Sequence, residues 1–136
     1  MPHVVVLYTA NLEVEARMRG FCRTAADALL SVRDENGKAV FPTGGVRVFA
    51  YPATHCAVAD GSGDYGFIYV QLRMGRGRSA LVHQAAGAAL GGAARAHFAP
   101  LMAARPLGLT VQVDEGLEVF DAKIGNLHEF FNKKVS

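Results

Sequence analysis

The stretch MPHVVVLYTAN, residues 1–11, contains the first predicted strand and the proline that precedes it. His3–Tyr8 is apolar and β-branched on both faces, a pattern typical of a buried strand. A proline at position 2 is compatible with a strand start, where its missing N–H breaks no ladder bond. If Met1 is removed, Pro2 instead carries a free secondary amine, which is a base. The stretch therefore supports both a structural and a chemical interpretation of Pro2.

The composition is that of an ordinary folded domain. The 136 residues are 51% hydrophobic and 19% charged, with a net charge of +2, which is too small to favour nucleic acid as a partner. No apolar run approaches the length of a membrane span, and no signal-peptide pattern is present. The two cysteines, Cys22 and Cys56, form no CxxC pair, so we expect a reducing cytoplasmic location.

The pattern after the first strand predicts a helix and a second strand. Apolar residues recur at helical spacing from about Leu12 to Leu30, and Asn11 is expected to cap this helix. A loop rich in charge and glycine follows, and alternation over 46–51 then predicts the second strand.

The same order of elements repeats in the second half. Tyr65–Met74 alternates as a third strand, and a glycine loop ending in Ser79 leads into a second helical stripe. Pro100 is expected to kink or end that helix near His97, since it removes a backbone hydrogen bond. Alternation from Leu107 predicts the fourth strand.

Two βαβ units, at about 2–60 and 61–136, are therefore expected within a single domain. The predicted fold class is α+β: a four-stranded mixed sheet with two helices on one face. The other face is expected to lack a cover and to expose aromatic side chains, which favours association into a closed ring of identical subunits. The candidates for this face are Phe49, Tyr51, Phe67 and Tyr69.

Arginines cluster at strand ends and before the second helix. Arg47 lies in a strand, while Arg76 and Arg78 flank a glycine just ahead of a helix N-terminus, which attracts anions. The guanidinium fork matches a carboxylate, so one interpretation is a pocket for an anionic ligand. The alternative is that the glycines only turn the chain and the arginines are solvated. An RNA-binding RGR segment is disfavoured because aromatic residues do not interleave it.

The remaining candidates for chemistry are weaker. The five histidines show no metal-ligand spacing, so they are expected to be packed or surface residues. His55 and Cys56 are adjacent, and neighbours on an extended strand point to opposite faces. No metal and no cofactor are therefore predicted.

Five short motifs, taken in order, carry a resemblance to a known family. They are MPH at the start, GGVR at 44–47, DGSGDYGF at 60–67, RMGRGRS at 73–79 and HFAPLMAARPLGLTVQVDE at 97–115. The set resembles the 5-carboxymethyl-2-hydroxymuconate isomerase family of the tautomerase superfamily, from Pro2 to the NLHEFF tail. The resemblance implies a tandem βαβ fold and homotrimers with active sites near subunit boundaries.

The resemblance also implies roles for individual residues. Met1 would be removed, and Pro2 would act as general base and then as general acid. Arg47 and Arg78 match positions where the family places arginines that hold and polarise the substrate. Phe49, a candidate substrate contact, stands where the family often has a further arginine, and the loop around Asp34–Val40 looks longer than usual. Both departures affect which substrate is expected more than they affect the expected proton-transfer chemistry.

The expected function is isomerisation of a 2-hydroxymuconate-type carboxylate, such as 5-carboxymethyl-2-hydroxymuconate, without a cofactor. The alternatives are a tautomerase for a smaller 2-hydroxydienoate or an arylpyruvate, a non-catalytic module that binds small anions, and a purely structural ring-forming protein. The expected partners are the small carboxylate and further copies of the chain, with no nucleic acid and no membrane.

Overall fold

Four strands form one mixed sheet in a computed structural model that describes residues 2–132. The predicted removal of Met1 lies outside these residues. In chain order the strands and helices are β1 (His3–Thr9), α1 (Met18–Leu30), β2 (Arg47–Ala53), β3 (Gly66–Met74), α2 (Ala80–Ala104), β4 (Leu107–Glu115) and α3 (Leu127–Asn132).

The strand order in the sheet is β2-β1-β3-β4. β1 is parallel to β2 and β3 is parallel to β4, while the two central strands, β1 and β3, are antiparallel. Each parallel pair is joined through a long helix, as a βαβ crossover requires. The predicted α+β class and mixed four-stranded sheet are confirmed.

The hydrophobic core lies between the sheet and the two long helices. Along β1, Val4 and Val6 are fully buried, while Val5 between them is only partly buried. The core-facing residues of α2 recur every four positions, which gives one continuous apolar stripe. Phe21 of α1 contacts Phe98 of α2, with ring centroids 4.8 Å apart.

The prediction that the first helix starts near Leu12 is wrong, as is the cap assigned to Asn11. α1 starts at Met18, and the residue before it, Arg17, has a left-handed backbone with φ of 50°. The Asn11 side chain instead donates to the Tyr65 carbonyl at 2.9 Å. Leu12 packs so closely over Gly66 that a β-carbon there would lie 2.7 Å from Leu12 Cδ2. Tertiary contacts with the start of β3 therefore hold this segment out of the helix.

Pro100 was predicted to kink or end the second helix near His97, and the prediction of an end there is wrong. α2 continues through Pro100 to Ala104, a length of 25 residues. Pro100 is exposed, so the carbonyl that loses its N–H partner can be satisfied by water. The buried stripe continues on the opposite side through Phe98, which packs against α1 and outweighs the lost bond.

Among residues 2–132, neither of the two long helices covers the second face of the sheet. Large apolar side chains are exposed there, among them Leu7 at 45%, Phe49 at 49%, Tyr51 at 52% and Phe67 at 38%. We call this surface the open face. It matches the aromatic surface expected from the sequence. Within residues 2–132, no helix is long and apolar enough to cross a bilayer.

Candidate active site

Pro2 lies at the N-terminal end of β1, between the beginning of β2 and the end of β3. The register pairs the next residue, His3, with Arg47 on β2 and with Arg73 on β3. Pro2 is buried, and the alternation along the strand places it on the helix-covered side with Val4. Its ring nitrogen therefore lies where three strand ends meet.

Arg47 lies at the same end of the sheet but on the open face. Val48 and Ala50, one and three positions further along β2, pack against the core. Side chains alternate along a strand, so Arg47 and Phe49 point to the open face. Arg47 Nε lies 3.1 Å from His3 Nδ1, Nη2 lies 2.6 Å from Nε2 of the same ring, and Nη1 donates to the Gly45 carbonyl at 3.1 Å. A neutral imidazole has one acceptor nitrogen, so one of the two ring contacts is a hydrogen bond.

The charge state of His3 follows from these contacts. Burial and the nearby Arg47 guanidinium lower the pKa of His3 below its ordinary value of 6.5. A second guanidinium, on Arg73, acts in the same direction. His3 is therefore held neutral near pH 7, in the form that can accept a hydrogen bond from Arg47.

Arg78 lies on the helix-covered side, in the loop that leads from β3 to α2. Its Nη1 donates to the Val40 carbonyl at 3.3 Å, and its guanidinium carbon lies 5.1 Å from the ring centroid of Phe41. Arg78 Nε is buried and finds no hydrogen-bond partner within the described part of the chain. Ser79 caps α2 as predicted, with its Oγ accepting from the Val82 N–H at 3.3 Å.

The chain after β4, residues 116–132, closes the open-face side of this region. We call it the C-terminal segment. The Gly116 N–H donates to the Met74 carbonyl at 2.8 Å, and Arg73 pairs with Glu118 at 3.3 Å. α3 then packs onto the turn before β2, where a β-carbon on Gly44 would lie 3.0 Å from His128 Nδ1. The segment encloses a cavity of about 540 Å³ whose lining includes His3, Arg47, Arg73, Glu118, Lys123 and His128.

The predicted site residues thus gather at one end of the sheet but on two faces. Pro2 and Arg78 lie on the helix-covered side, and Arg47 and Phe49 lie on the open face. The Phe49 ring stacks at a tilt near Tyr51, with centroids 6.5 Å apart. Within one copy of the chain, the two predicted arginines therefore lie on opposite faces of the sheet.

Sequence reasoning did not place His3, Arg73 or the C-terminal segment among the residues of the candidate site. The signal for His3 was its position directly after Pro2 in a strand, which places it beside the same strand ends. The contact between Glu118 and Arg73 joins residues 45 positions apart, and no local pattern indicates it. Among residues 2–132, no cluster of His, Cys, Asp or Glu is arranged to hold a metal ion.

Comparison with known proteins identifies the family. The family model described as 5-carboxymethyl-2-hydroxymuconate isomerase matches residues 2–131. A curated 5-carboxymethyl-2-hydroxymuconate Delta-isomerase of Escherichia coli is 30% identical over 131 residues, covering 96% of this chain and 99% of that protein.

Solved structures agree with this assignment. A 5-carboxymethyl-2-hydroxymuconate delta-isomerase is 56% identical with a TM-score of 0.92, and the corresponding isomerase of Deinococcus radiodurans R1 is 33% identical with a TM-score of 0.84. Each alignment covers 96% of this chain and 93% of the other.

More distant structures share the fold alone. A fused 4-OT, described as a symmetric trimer, is 16% identical with a TM-score of 0.58, covering 89% of this chain and 93% of the other. The motifs, the fold and the end-to-end match lead to the same conclusion: the chain belongs to the 5-carboxymethyl-2-hydroxymuconate isomerase family, a family of isomerases with the tautomerase fold.

Proposed function

We propose that the chain catalyses proton transfer within a 2-hydroxymuconate-type carboxylate, with 5-carboxymethyl-2-hydroxymuconate as the first candidate. The observation that supports this most is the position of Pro2, buried where three strand ends meet between two arginine-bearing elements. In the reaction, the ring nitrogen takes the proton of the 2-hydroxyl group. A dienolate forms, and the same proton is returned to a distal carbon of the conjugated chain.

The Pro2 nitrogen suits this role only after Met1 has been removed, because an acylated ring nitrogen is not basic. A free α-amine has a pKa of about 7.7–8.0. Burial and nearby guanidinium groups disfavour its charged form, so both lower that pKa towards the working pH. A lysine would begin more than two units higher and would need a larger perturbation.

Arg78 is proposed to bind a substrate carboxylate and to stabilise the dienolate oxygen. Its Nη1 is engaged with Val40, while its buried Nε has no partner in the described chain, so it keeps a donor for a ligand. A fixed cation beside the developing negative charge lowers the barrier to proton removal. The Phe41 ring holds the guanidinium in place and limits the motion lost on binding.

Arg47 is proposed to act on the Pro2 of a neighbouring copy in a homotrimer. It lies on the open face, opposite to the Pro2 ring of its own chain. Burying the exposed apolar residues of that face would favour association, at roughly 25 cal/mol per Å² of apolar surface removed from water. A closed ring would bring each Arg47 to a subunit boundary, where it would complete a second chain's site.

A smaller substrate is the second candidate function. Phe49 provides an apolar, half-exposed surface beside Arg47, where a further arginine would have bound another carboxylate. That environment suits a 2-hydroxydienoate or an arylpyruvate enol with one carboxylate. The free cysteines Cys22 and Cys56 suit the reducing cytoplasm as the proposed location.

The direct test combines mass spectrometry with substitution of Pro2. We expect the purified enzyme to lack Met1 and to ketonise 5-carboxymethyl-2-hydroxymuconate. Pro2→Ala should lower kcat/KM by about 10²- to 10⁴-fold, the usual contribution of a positioned general base. Circular dichroism should show the fold unchanged.

The matched control is Pro106→Ala. Pro106 is exposed, and its backbone carbonyl, which accepts the Gly66 N–H, survives the substitution. This variant should retain wild-type kcat/KM. Rapid turnover by an enzyme that keeps Met1, or by Pro2→Ala, would remove the base assignment.

A further inference from the structure

The cavity beneath the C-terminal segment has room for a small organic acid. Its volume of about 540 Å³ lies within the roughly 300–1,000 Å³ that is typical of small-molecule sites. The strand ends and the C-terminal segment both contribute to its lining, from His3 to His128. Met74, Ile124 and Leu127 add apolar surface to the polar groups. The size and the mixed lining therefore suit a ligand that is partly apolar and partly charged.

Cations outnumber carboxylates on the lining of this cavity. The cations are Arg47, Arg73 and Lys123, and the carboxylates are Glu118 and Asp121. Arg47 contacts the His3 ring and a backbone carbonyl, and among residues 2–132 no carboxylate lies within 4.0 Å of its guanidinium. The cavity wall therefore carries a cation that no carboxylate neutralises at contact range.

His3 lies in the electric field of these groups. Burial is the largest cause that lowers the pKa of His3, and the guanidiniums of Arg47 and Arg73 lower that pKa as well. The carboxylate of Asp121 acts in the opposite direction and contributes least. A field that disfavours the cationic form of an imidazole favours an anion in the same place.

Two side chains of the C-terminal segment show that cations on this lining accept carboxylate partners. Glu118 Oε1 lies 3.3 Å from Arg73 Nη2, and Asp121 Oδ2 lies 2.5 Å from Lys123 Nζ. The side chains of Arg73 and Lys123 are 53% and 55% exposed, so each ion pair is weak and can exchange for a carboxylate of a ligand. Lysine has three donors and arginine has five, so either cation can also bind a second carboxylate.

We propose that this cavity is a subsite for a substrate carboxylate remote from the reacting hydroxyl group, bound by Arg73 and Lys123. The inference rests on the proposed function, since the cavity shares Arg47 with the proposed site and one ligand can therefore contact both. Glu118 and Asp121 are internal competitors that occupy the two cations until the ligand binds. The subsite favours the tricarboxylate 5-carboxymethyl-2-hydroxymuconate over a substrate with one carboxylate.

The first test compares 5-carboxymethyl-2-hydroxymuconate with the enol of phenylpyruvate, which has one carboxylate. Lys123→Met removes the charge from a half-exposed side chain whose ion-pair partner lies two positions away, so the fold should persist. We expect KM for the tricarboxylate to rise about three- to tenfold, between the effects of an exposed ion pair and of a buried charged hydrogen bond. The value of kcat, and KM for the monocarboxylate, should each change less than about twofold.

The matched control is Lys38→Met, which makes the same change at an exposed lysine outside the cavity lining. It should leave KM for the tricarboxylate within about twofold of the wild-type value. Equal effects of Lys123→Met and Lys38→Met would show a diffuse charge effect and would overturn the subsite.

Removing a competitor should have the opposite effect. Asp121→Asn frees Lys123 and keeps a side chain of the same size, so KM for the tricarboxylate should fall about two- to fivefold. An ion pair that only held the segment in place would give no such gain. Glu129→Gln removes a unit charge from the same segment outside the cavity lining and should leave KM unchanged. A rise of KM in Asp121→Asn would contradict the assignment of Asp121 as a competitor.

Calorimetric titration with tricarballylate, a tricarboxylate that has no enol, separates the subsite from the reaction. The wild type should bind it about three- to tenfold more tightly than Lys123→Met does. Equal affinities, with the tricarboxylate substrate turned over by the wild type, would overturn this inference alone. No turnover of either substrate by the wild type would contradict the proposed function, while weaker binding of tricarballylate to Lys123→Met would still support the subsite.

Discussion

The two faces of β1 differ in what covers them, although their residues alternate along one short strand. Val4 and Val6 are fully buried under the helices, while Leu7 of the same strand is 45% exposed on the open face. The covered face contributes the core and carries Pro2; the open face carries Arg47 and Phe49. One face therefore stabilises the subunit, and the other is available for assembly and for the other half of the proposed site.

The largest effect is expected from a charge on the covered face. Val6→Asp places a carboxylate at a position with 0% exposure, inside the hydrophobic core. Burying such a group costs several kcal/mol, a large share of the roughly 5–15 kcal/mol that stabilise a typical domain. We expect little folded protein, measured by far-UV circular dichroism and by the yield of the soluble fraction.

The adjacent residue offers the matched comparison. Leu7→Asp makes the same chemical change one position along, on the open face. We expect the subunit to fold, because the new carboxylate stays solvated, and the proposed trimer to dissociate into monomers in light scattering. Activity should be lost with the trimer if Arg47 serves a neighbouring site. A folded, active monomer would contradict the assembly proposed for the open face.

The covered face is the part of the molecule that the sequence predicted well. Alternation was predicted for the third strand, and Ile68 and Val70 of β3 are buried between more exposed residues, because the side-chain period of a strand is two. For β1, the prediction of a strand buried on both faces is wrong, since Val4 and Val6 are buried but Leu7 is 45% exposed. Ser79 was likewise predicted as a cap from purely local chemistry, and the structure confirms it. Local rules suffice where the deciding interactions lie within one element.

The site was predicted only in part, because its arrangement depends on distant contacts. Position and residue type indicated Pro2, Arg47 and Arg78, but not that Arg47 and Arg78 lie on opposite sides of the sheet. The start of α1 is decided by contacts of Asn11 with residues more than 50 positions away. The contact of Glu35 with Ser79 joins residues 44 positions apart. Nothing in the local sequence specifies such pairs.

An effect of intermediate size is expected from subunit complementation, which tests whether Arg47 serves the Pro2 of a neighbouring chain. Pro2→Ala and Arg47→Ala chains are each expected to be inactive, but mixed trimers combine an intact Pro2 with an intact Arg47 at some boundaries. With equal, random mixing in a closed ring, about a quarter of the sites should be complete. The measurement is the specific activity after co-refolding, against each variant refolded alone.

Arg78→Ala is the control for that experiment. Arg78 lies on the same face as Pro2 in the same chain, so mixing Pro2→Ala with Arg78→Ala chains should restore no activity. Recovery in the Arg78 mixture, or none in the Arg47 mixture, would reverse the assignment of the two arginines to the two faces.

The smallest effect concerns the pH dependence of stability that arises from His3, which contacts Arg47 on the open face. The pKa of His3 is lowered in the folded state, so below its ordinary value of 6.5 the unfolded chain binds more protons than the native one. Stability should therefore rise with pH through the window just below 6.5 and be lost as the pH falls. His3→Gln removes the titrating group and should flatten the melting temperature between about pH 5 and 6.5. His55→Gln, at an exposed position after β2, should leave the wild-type slope. If His3→Gln kept the full slope of melting temperature against pH, the His3 imidazole beside Arg47 would not be the source of the pH dependence.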